Sequence, residues 1–288
     1  YKRMKRNPDF RVYERPSLGY AYIGYNLENP LFKDRRVRQA LTYALNRREI
    51  VDYVLYGHAV VATGIFPNHM WYHNPQVMPY AYSPEKARQL LAEAGWTDSN
   101  GDGILDKEGK PFRFTLITNS GNDVRRDIAV LAQRQWSEIG IAVVPRLYEW
   151  STFLSTYINP RNFDACILGW SLSIDPDAYS IWHSSQIKDG FNFVSYCNEE
   201  VDRLLVLGRR EYGKEKRQAI YRRIHEIIAE DQPYTFLYVS EEMPVLSRKF
   251  VAVEQLDDKK IYRPIKMEKS GLMHDLIRWY VPATAIAI

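Results

Sequence analysis

The chain has 288 residues, 45% of them hydrophobic and 14% aromatic, which is enough apolar content for one large core or two smaller ones and too much for a disordered tail. Its 39 Lys and Arg stand against 35 Asp and Glu, and the net charge of +4 is spread along the whole length, so no basic stripe for nucleic acid forms. No apolar stretch is long enough to cross a bilayer and no basic-then-apolar leader opens the sequence, which starts with neither Met nor a signal peptide and is expected to be a piece of a longer protein.

The densest basic run, YKRMKR at the start, reads as a solvated helical face. Between Asp34 and Tyr56, Val37, Leu41, Ala44 and Leu45 recur at helical spacing, and Asn46 with Glu49 three residues on predicts an N-cap that opens a second short helix. The uncharged run from Ala59 to Ser83 is broken by prolines and reads as a long surface loop. In SPEKARQLLAEAG, Ser83 caps, Pro84 takes the first helical position, Ala87, Leu90, Leu91 and Ala94 form one face, and Gly95 stops the helix.

FRFTLIT alternates Phe112, Phe114 and Leu116 with Arg113 and Thr115, the period of a half-buried strand. A helix from about Asn122 to Ile139 follows, with Ile128, Leu131, Ala132, Trp136 and Ile139 inward and Gly140 as its stop. IAVVPRLYE and FDACILGW read as strands separated by a short helical piece at Ser151 to Tyr157, which completes a β-α-β-α-β run and an α/β architecture. Helices are predicted from about Glu199 to Arg210 and from Lys214 to Glu230, where Ile220, Ile224, Ile227 and Ile228 share a face, and the strand YTFLYVS follows Pro233. Periodicity weakens beyond it, and a domain boundary is expected near Ser240.

Several stretches carry candidate chemistry. DSNGDGILD sets Asp98, Asn100, Asp102 and Asp106 at positions one, three, five and nine of a calcium loop, but position twelve, where a bidentate Glu belongs, is Gly109; a polar turn between helix and strand accounts for the same residues. His69 and His73 fall four apart in a proline-bounded stretch, FPNHMWYHNP, that is not a helix, with His58 nearby, so the histidines are expected as loop or cleft-lining residues rather than nickel ligands. Cys166 in an apolar run and Cys197 in SYCNEEVD lack metal-type spacing and are expected as small core or turn residues. No G-x-S-x-G, H-E-x-x-H or phosphate-cradling glycine loop occurs, which argues against an enzyme and for a protein without cofactor or resident metal.

The most informative segment is GWSLSIDPDAYSIWHSSQ, Gly169 to Gln186, which follows a predicted strand. In α/β lobes ligands collect beyond the carboxyl ends of strands, so this loop is expected to be a binding wall. Trp170, Tyr179 and Trp182 offer broad faces with a polar edge, although Trp182 equally suits packing under the lobe. Two roles are open to Asp175: a ligand contact, or a cap for a helix with Pro176 at its first position.

Four ordered motifs, YNLENPLFKDRRVRQALTYALNRREIVDYVLYG, YSPEKARQLLAEAGWTDSNGDGILDKEGKPFRFTLIT, FDACILGW and GFNFVSYCNEEVDRLL, resemble the C-terminal half of the family 5 extracytoplasmic solute-binding proteins, the dipeptide, oligopeptide and nickel-type receptors of ABC importers. The resemblance implies one lobe of a two-lobed, type II-like periplasmic binding protein, with a mixed sheet flanked by helices. It implies that residues 1–24 end the other lobe and make the first hinge crossing, that 25–238 form the ligand-binding lobe, and that 239–288 cross back and return to the other lobe. It also implies a non-catalytic, monomeric receptor in the periplasm or outside the membrane, in some forms lipid-anchored, that serves an ABC permease and binds no nucleic acid.

On that reading the ligand-binding residues are Trp170, Ser171, Ser173, Asp175, Asp177, Tyr179, Trp182 and Asn192. The resemblance also shows one departure. Peptide-binding relatives carry an Asp three residues after the tryptophan, where it holds the ligand's α-amino group, and this chain has Ser173 there. Peptide-like cargo is expected first, with oligosaccharide or a metal chelate as alternatives.

Overall fold

The computed structural model describes residues 2–249, 251–255, 262–265 and 279–280. The chain divides into two compact units, Leu18–Ser240 and Tyr1–Ser17 with Glu241–Ile288. In the smaller one, the helix Lys2–Arg6 keeps Arg3 to Arg6 exposed, as the basic run predicted. Phe10–Val12 pairs antiparallel with Val245–Ser247, and Val251–Gln255 lies between Tyr262–Ile265 and Trp279–Tyr280. Of the expected return segment, positions 250, 256–261, 266–278 and 281–288 lie outside the described residues.

The larger unit is built on one mixed sheet. Its strands are β1 (Gly19–Tyr25), β2 (Ala59–Val61), β3 (Arg113–Asn119), β4 (Ala142–Tyr148), β5 (Ala165–Ser171) and β6 (Tyr234–Glu242). The order is β6-β1-β5-β3-β4, with β2 added to β6. β3 runs parallel to β4 and β5, while β1 is antiparallel to β5 and β6. The parallel β3-β4-β5 part is the β-α-β-α-β run read from periodicity. β1 was not among the predicted strands.

Alternation along the strands sorts residues into two cores, one on each face. Ile23, Tyr25, Phe114, Leu116 and Ile167 lie under α1 (Arg35–Tyr43), α2 (Pro84–Glu93) and α3 (Asp123–Ser137). Tyr20, Tyr22, Ile117, Cys166 and Leu168 lie on the opposite face with Trp182, α4 (Glu199–Arg210) and α5 (Lys214–Asp231).

The caps are local and mostly where the sequence put them. Ser83 accepts the Lys86 N–H, Asn122 accepts that of Arg125, and Asn198 accepts those of Glu200 and Val201. Gly95 and Gly140, at φ +87° and +82°, end their helices in the left-handed region. Trp136 on α3 is fully buried and donates its indole N–H to the Leu41 carbonyl at 2.9 Å, which ties α3 to α1. Two expected short helices instead continue as wide turns: Asn46 caps Arg47–Glu49, which runs into Ile50–Val54, and Glu149 caps Trp150–Thr152, which runs into Phe153–Ile158.

The loop after β2 packs on α5 through two histidines. The Thr63 hydroxyl lies 2.9 Å from Nε2 of His73 and 3.4 Å from Nε2 of His225, whose Nδ1 accepts the Asn74 N–H. His225 is fully buried, and a Cβ added at Gly64 would sit 2.3 Å from its ring, so only glycine fits there. Burial, and then the neighbouring His73, hold His225 down at about 3; His73 is lowered by burial, with Arg222 and His69 adding to it.

A folded-state pKa below the unfolded value means that stability is complete above the unfolded histidine value and is lost as pH falls below it. Between pH 7.5 and 5, His225 alone is expected to remove about 2 kcal/mol. Thermal melts across that range check this: the midpoint falls with pH, and His225→Gln, although less stable at pH 7.5, loses that part of the dependence.

Candidate functional site

The carboxyl end of β5 differs from the rest of the sheet because its two edges are treated differently. On one side it pairs with β1 along its whole length, from Ala165 opposite Tyr25 to Ser171 opposite Gly19. On the other it pairs with β3 only at Ala165 and Cys166. The Asp164 carbonyl accepts the Asn26 N–H and the Leu172 N–H donates to the Leu18 carbonyl, so the even-numbered residues face β1. The Ile167 carbonyl accepts the Thr118 hydroxyl, so the odd-numbered residues face β3. Main-chain groups alternate sides along a strand, which leaves the N–H and C=O of Gly169 and Ser171 facing an open edge.

Aromatic rings stand on one face of this edge. Trp170 is stacked with Phe193 (centroids 5.8 Å apart, planes at 9°) and Tyr22 (6.3 Å, 17°), and its indole N–H points at the Tyr234 hydroxyl at 3.4 Å. Tyr22 stacks in turn on Tyr234 at 3.8 Å. Phe191, beside Trp170 at 5.9 Å, is 53% exposed and extends the wall outward. On the other face, Arg125 from the first turn of α3 reaches over Gly169: its Nη2 would lie 3.8 Å from a Cβ at that glycine. Nη1 donates to the Asn119 side-chain carbonyl at 2.7 Å.

The loop beyond β5 is closed on itself. Asp175 forms a two-pronged pair with Arg217, both distances 2.8 Å, and Asp177 pairs with Arg209 at 2.8 Å. Hydrogen bonding from Arg217 holds the Asp175 carboxyl below its usual range. Ser173 donates to the Asp175 carbonyl at 2.9 Å. Asp175 also accepts the Asp177 N–H, and Asp177 accepts the Tyr179 N–H.

The helix here is only Tyr179–Trp182, with Ala178 at its N-cap and no side-chain cap bond, so Asp175 does not cap it and Pro176 lies outside it. Asp175 braces a turn instead. The space beneath Ser173 to Ala178 is about 20 Å³, room for a single water and not for a ligand.

The sequence-predicted residues therefore separate. Trp170 and Ser171 stand at the open edge. Tyr179 lies under the Arg209 guanidinium at 3.9 Å and stacks on His183 at 4.2 Å, and Asp175, Asp177 and Ser173 hold the loop. Trp182 is buried edge-on to Tyr196, the packing role its size suggested. Asn192 is fully buried; it accepts the Tyr196 N–H and donates to the Tyr196 and His183 carbonyls, so it shapes the chain behind the wall. Arg125, Asn119, Phe191 and Phe193 were not singled out from sequence.

The other candidates are absorbed by local structure. Asp98 accepts the Gly101 and Gly103 N–H groups, Asn100 that of Asp102, and Asp102 that of Ile104, while Asp106 holds Ser99. Among the described residues no three His, Cys, Asp or Glu side chains are grouped to hold a metal ion.

A mixed sheet sandwiched by helices, with an aromatic wall and an open strand edge at its carboxyl end, is a fold of the periplasmic-binding-protein class. The model of the bacterial extracellular solute-binding proteins, family 5, middle region, matches residues 1–191, and the chain belongs to that family. It is 49% identical over 248 residues to the oligopeptide-binding protein AppA of Bacillus subtilis (strain 168), an alignment that covers 83% of this chain and 44% of AppA.

Among solved structures, AppA from Bacillus subtilis in complex with a nonapeptide superposes with a TM-score of 0.83 at 42% identity, covering 98% of this chain and 54% of that one. NikZ from Campylobacter jejuni in complex with Ni(L-His) superposes at 0.79 with 26% identity, covering 96% and 55%. The chain thus spans about half the length of these relatives.

Buried hydrogen bonds and exposed ion pairs have different weights, and this separates the two groups of loop residues. Asn192→Ala is expected to cost about 2 to 3 kcal/mol, because it strands the buried N–H and C=O of Tyr196. Asp175→Asn, at an exposed pair, is expected to cost less than about 1 kcal/mol. Urea unfolding of the two variants checks the order; the reverse order would place the strength of this loop in its ion pairs.

Proposed function

We propose that the protein to which this chain belongs is the solute-binding component of an ABC importer and that its cargo is peptide. The observation that carries the reading is the open edge at Gly169 and Ser171. Unpaired N–H and C=O groups in register with a sheet accept an extended main chain as an added strand, and they do so for any side-chain sequence. The stacked rings of Trp170, Phe193 and Phe191 beside that edge suit varied side chains, because they supply large faces with little flexibility to lose. AppA in complex with a nonapeptide supports the same cargo.

In this reading residues 25–238 are one lobe, residues 1–24 and 239–288 lead to and from the other, and a ligand is enclosed between the two. The receptor is non-catalytic and monomeric, works outside the cytoplasmic membrane, in some forms on a lipid anchor, and delivers peptide to the permease subunits. Full-length receptor purified without refolding is expected to carry peptides of mixed sequence, identified by mass spectrometry of the released ligand. Recovery of a metal chelate, a sugar or a porphyrin in stoichiometric amount, with no peptide, would overturn the proposal.

A further inference from the structure

The two phenylalanines of the wall do not come from the sheet. Phe191 and Phe193 lie in the turn that follows Gln186, whose main-chain bonds run to its own neighbourhood. The Gly190 and Asn192 N–H groups donate to the Gln186 carbonyl, and that of Phe191 donates to the Ser180 carbonyl. A Cβ at Gly190 would lie 2.9 Å from the Gln186 carbonyl oxygen, so the turn closes tightly there. Its far end is fixed by Leu27, whose N–H donates to the Val194 carbonyl at 2.9 Å.

Between those ends Arg161, four residues before β5, reaches the turn. Its Nη2 donates to the Gly190 carbonyl at 2.8 Å, and its Cζ lies 5.6 Å from the centroid of the Phe193 ring. Nη1 donates to the Asn159 carbonyl in its own segment. The main chain at Arg161 is held as well: its N–H donates to the Ile158 carbonyl, and its carbonyl accepts the side-chain amide of buried Asn26 at 3.0 Å. Phe193 is thus shared between the guanidinium and Trp170, the ring stacked with it at 5.8 Å.

Arg161 keeps this place at a cost. Its φ of +60° lies in the left-handed region, where glycine or asparagine is at ease and arginine is not, and its Nε is buried with no acceptor among the described residues. A turn alone would be better served by a smaller residue. What the long side chain and planar fork supply is the simultaneous hold on a carbonyl and a ring.

We infer that Arg161 is a positioning residue for the wall: by holding the Gly190 carbonyl and the Phe193 ring it sets where Phe191 and Phe193 stand, and with that the receptor's preference for peptides carrying a large apolar side chain at the wall. The inference rests on the peptide reading above and adds a side-chain preference to it. Arg161 acts through the two rings and not by touching the ligand.

The test uses full-length receptor, calorimetry, and nonapeptides of Ala, Ser and Gln in which one Phe is moved through the nine positions. Wild type is expected to bind the best Phe-bearing form roughly tenfold to a hundredfold more tightly than the parent without Phe. Arg161→Asn and Arg161→Gly are expected to melt close to wild type, because each eases the left-handed main chain while it removes the side chain. Both are expected to flatten the Phe preference to within about threefold, and Arg161→Lys to retain part of it, since Lys keeps charge and reach without the fork. Phe193→Leu is expected to lower the same preference, and adding Arg161→Asn to it to change the preference by less than about twofold, because the ring through which Arg161 acts is already gone.

A wild type that does not distinguish Phe-bearing from parent peptide, an undiminished preference in Arg161→Asn and Arg161→Gly, an equal loss of affinity for both kinds of peptide, or independent effects of Arg161→Asn and Phe193→Leu would each overturn the inference while leaving the peptide reading in place. Should neither shorter variant fold, an undiminished preference in Arg161→Lys would overturn it. Failure of wild type to bind any of the peptides would remove both.

Discussion

Strand β5 is held along its full length by β1 and for only two residues by β3, and the open edge proposed to take peptide follows from that asymmetry. A strand paired on both sides has no main-chain groups left to give, and a strand paired on neither would not hold its shape. β5 has one fixed side, which sets the direction of its N–H and C=O groups, and one side that opens where β3 diverges. The same period of two sends Cys166, Leu168 and Trp170 into the aromatic core and Ala165, Ile167 and Gly169 toward α3. Wall, edge and guanidinium are thereby placed by one strand and need no mobile loop to bring them together.

The segment after β5 contributes rigidity more than contact. Its two aspartates are neutralised by arginines on α4 and α5, its tryptophan is buried, and the chain behind it is fixed by Asn192. The exposed ion pairs are individually weak, with the buried hydrogen bonds and ring packing beneath them carrying more of the hold. Their consequence is chemical: the two acids of this loop are already paired, with Arg217 and Arg209.

Most of the frame was legible in the sequence because it depends on neighbours in the chain. Ser83 with Pro84 and Gly95, Asn122 with Gly140, and the alternation of FRFTLIT are signals within a few residues of the structure they specify. β1 was harder to read: in GYAYIGY both faces are buried, so the run has almost no polar partner in its alternation. The wide turns at Ile50–Val54 and Phe153–Ile158 differ from α-helix by one residue per turn, which periodicity over so short a span does not resolve.

The site was only half legible, for a different reason. Trp170 stood out by residue type and by its place after a strand. The role of Asp175 was decided by Arg217, 42 positions away, and that of Asp177 by Arg209, 32 positions away, and no local pattern encodes either pair. Arg125 and Asn119 went unnoticed because their hydrogen bond and the place of the guanidinium over Gly169 are properties of the folded chain alone.

The central claim, that peptide joins the sheet at β5, is tested most directly by residue-resolved amide hydrogen exchange on full-length receptor with and without saturating peptide. The account predicts strong added protection at Gly169 and Ser171, whose N–H groups face the open edge, and little change at Trp170, whose N–H already faces β1. Saturation with peptide that leaves Gly169 and Ser171 exchanging as in the free receptor would contradict it.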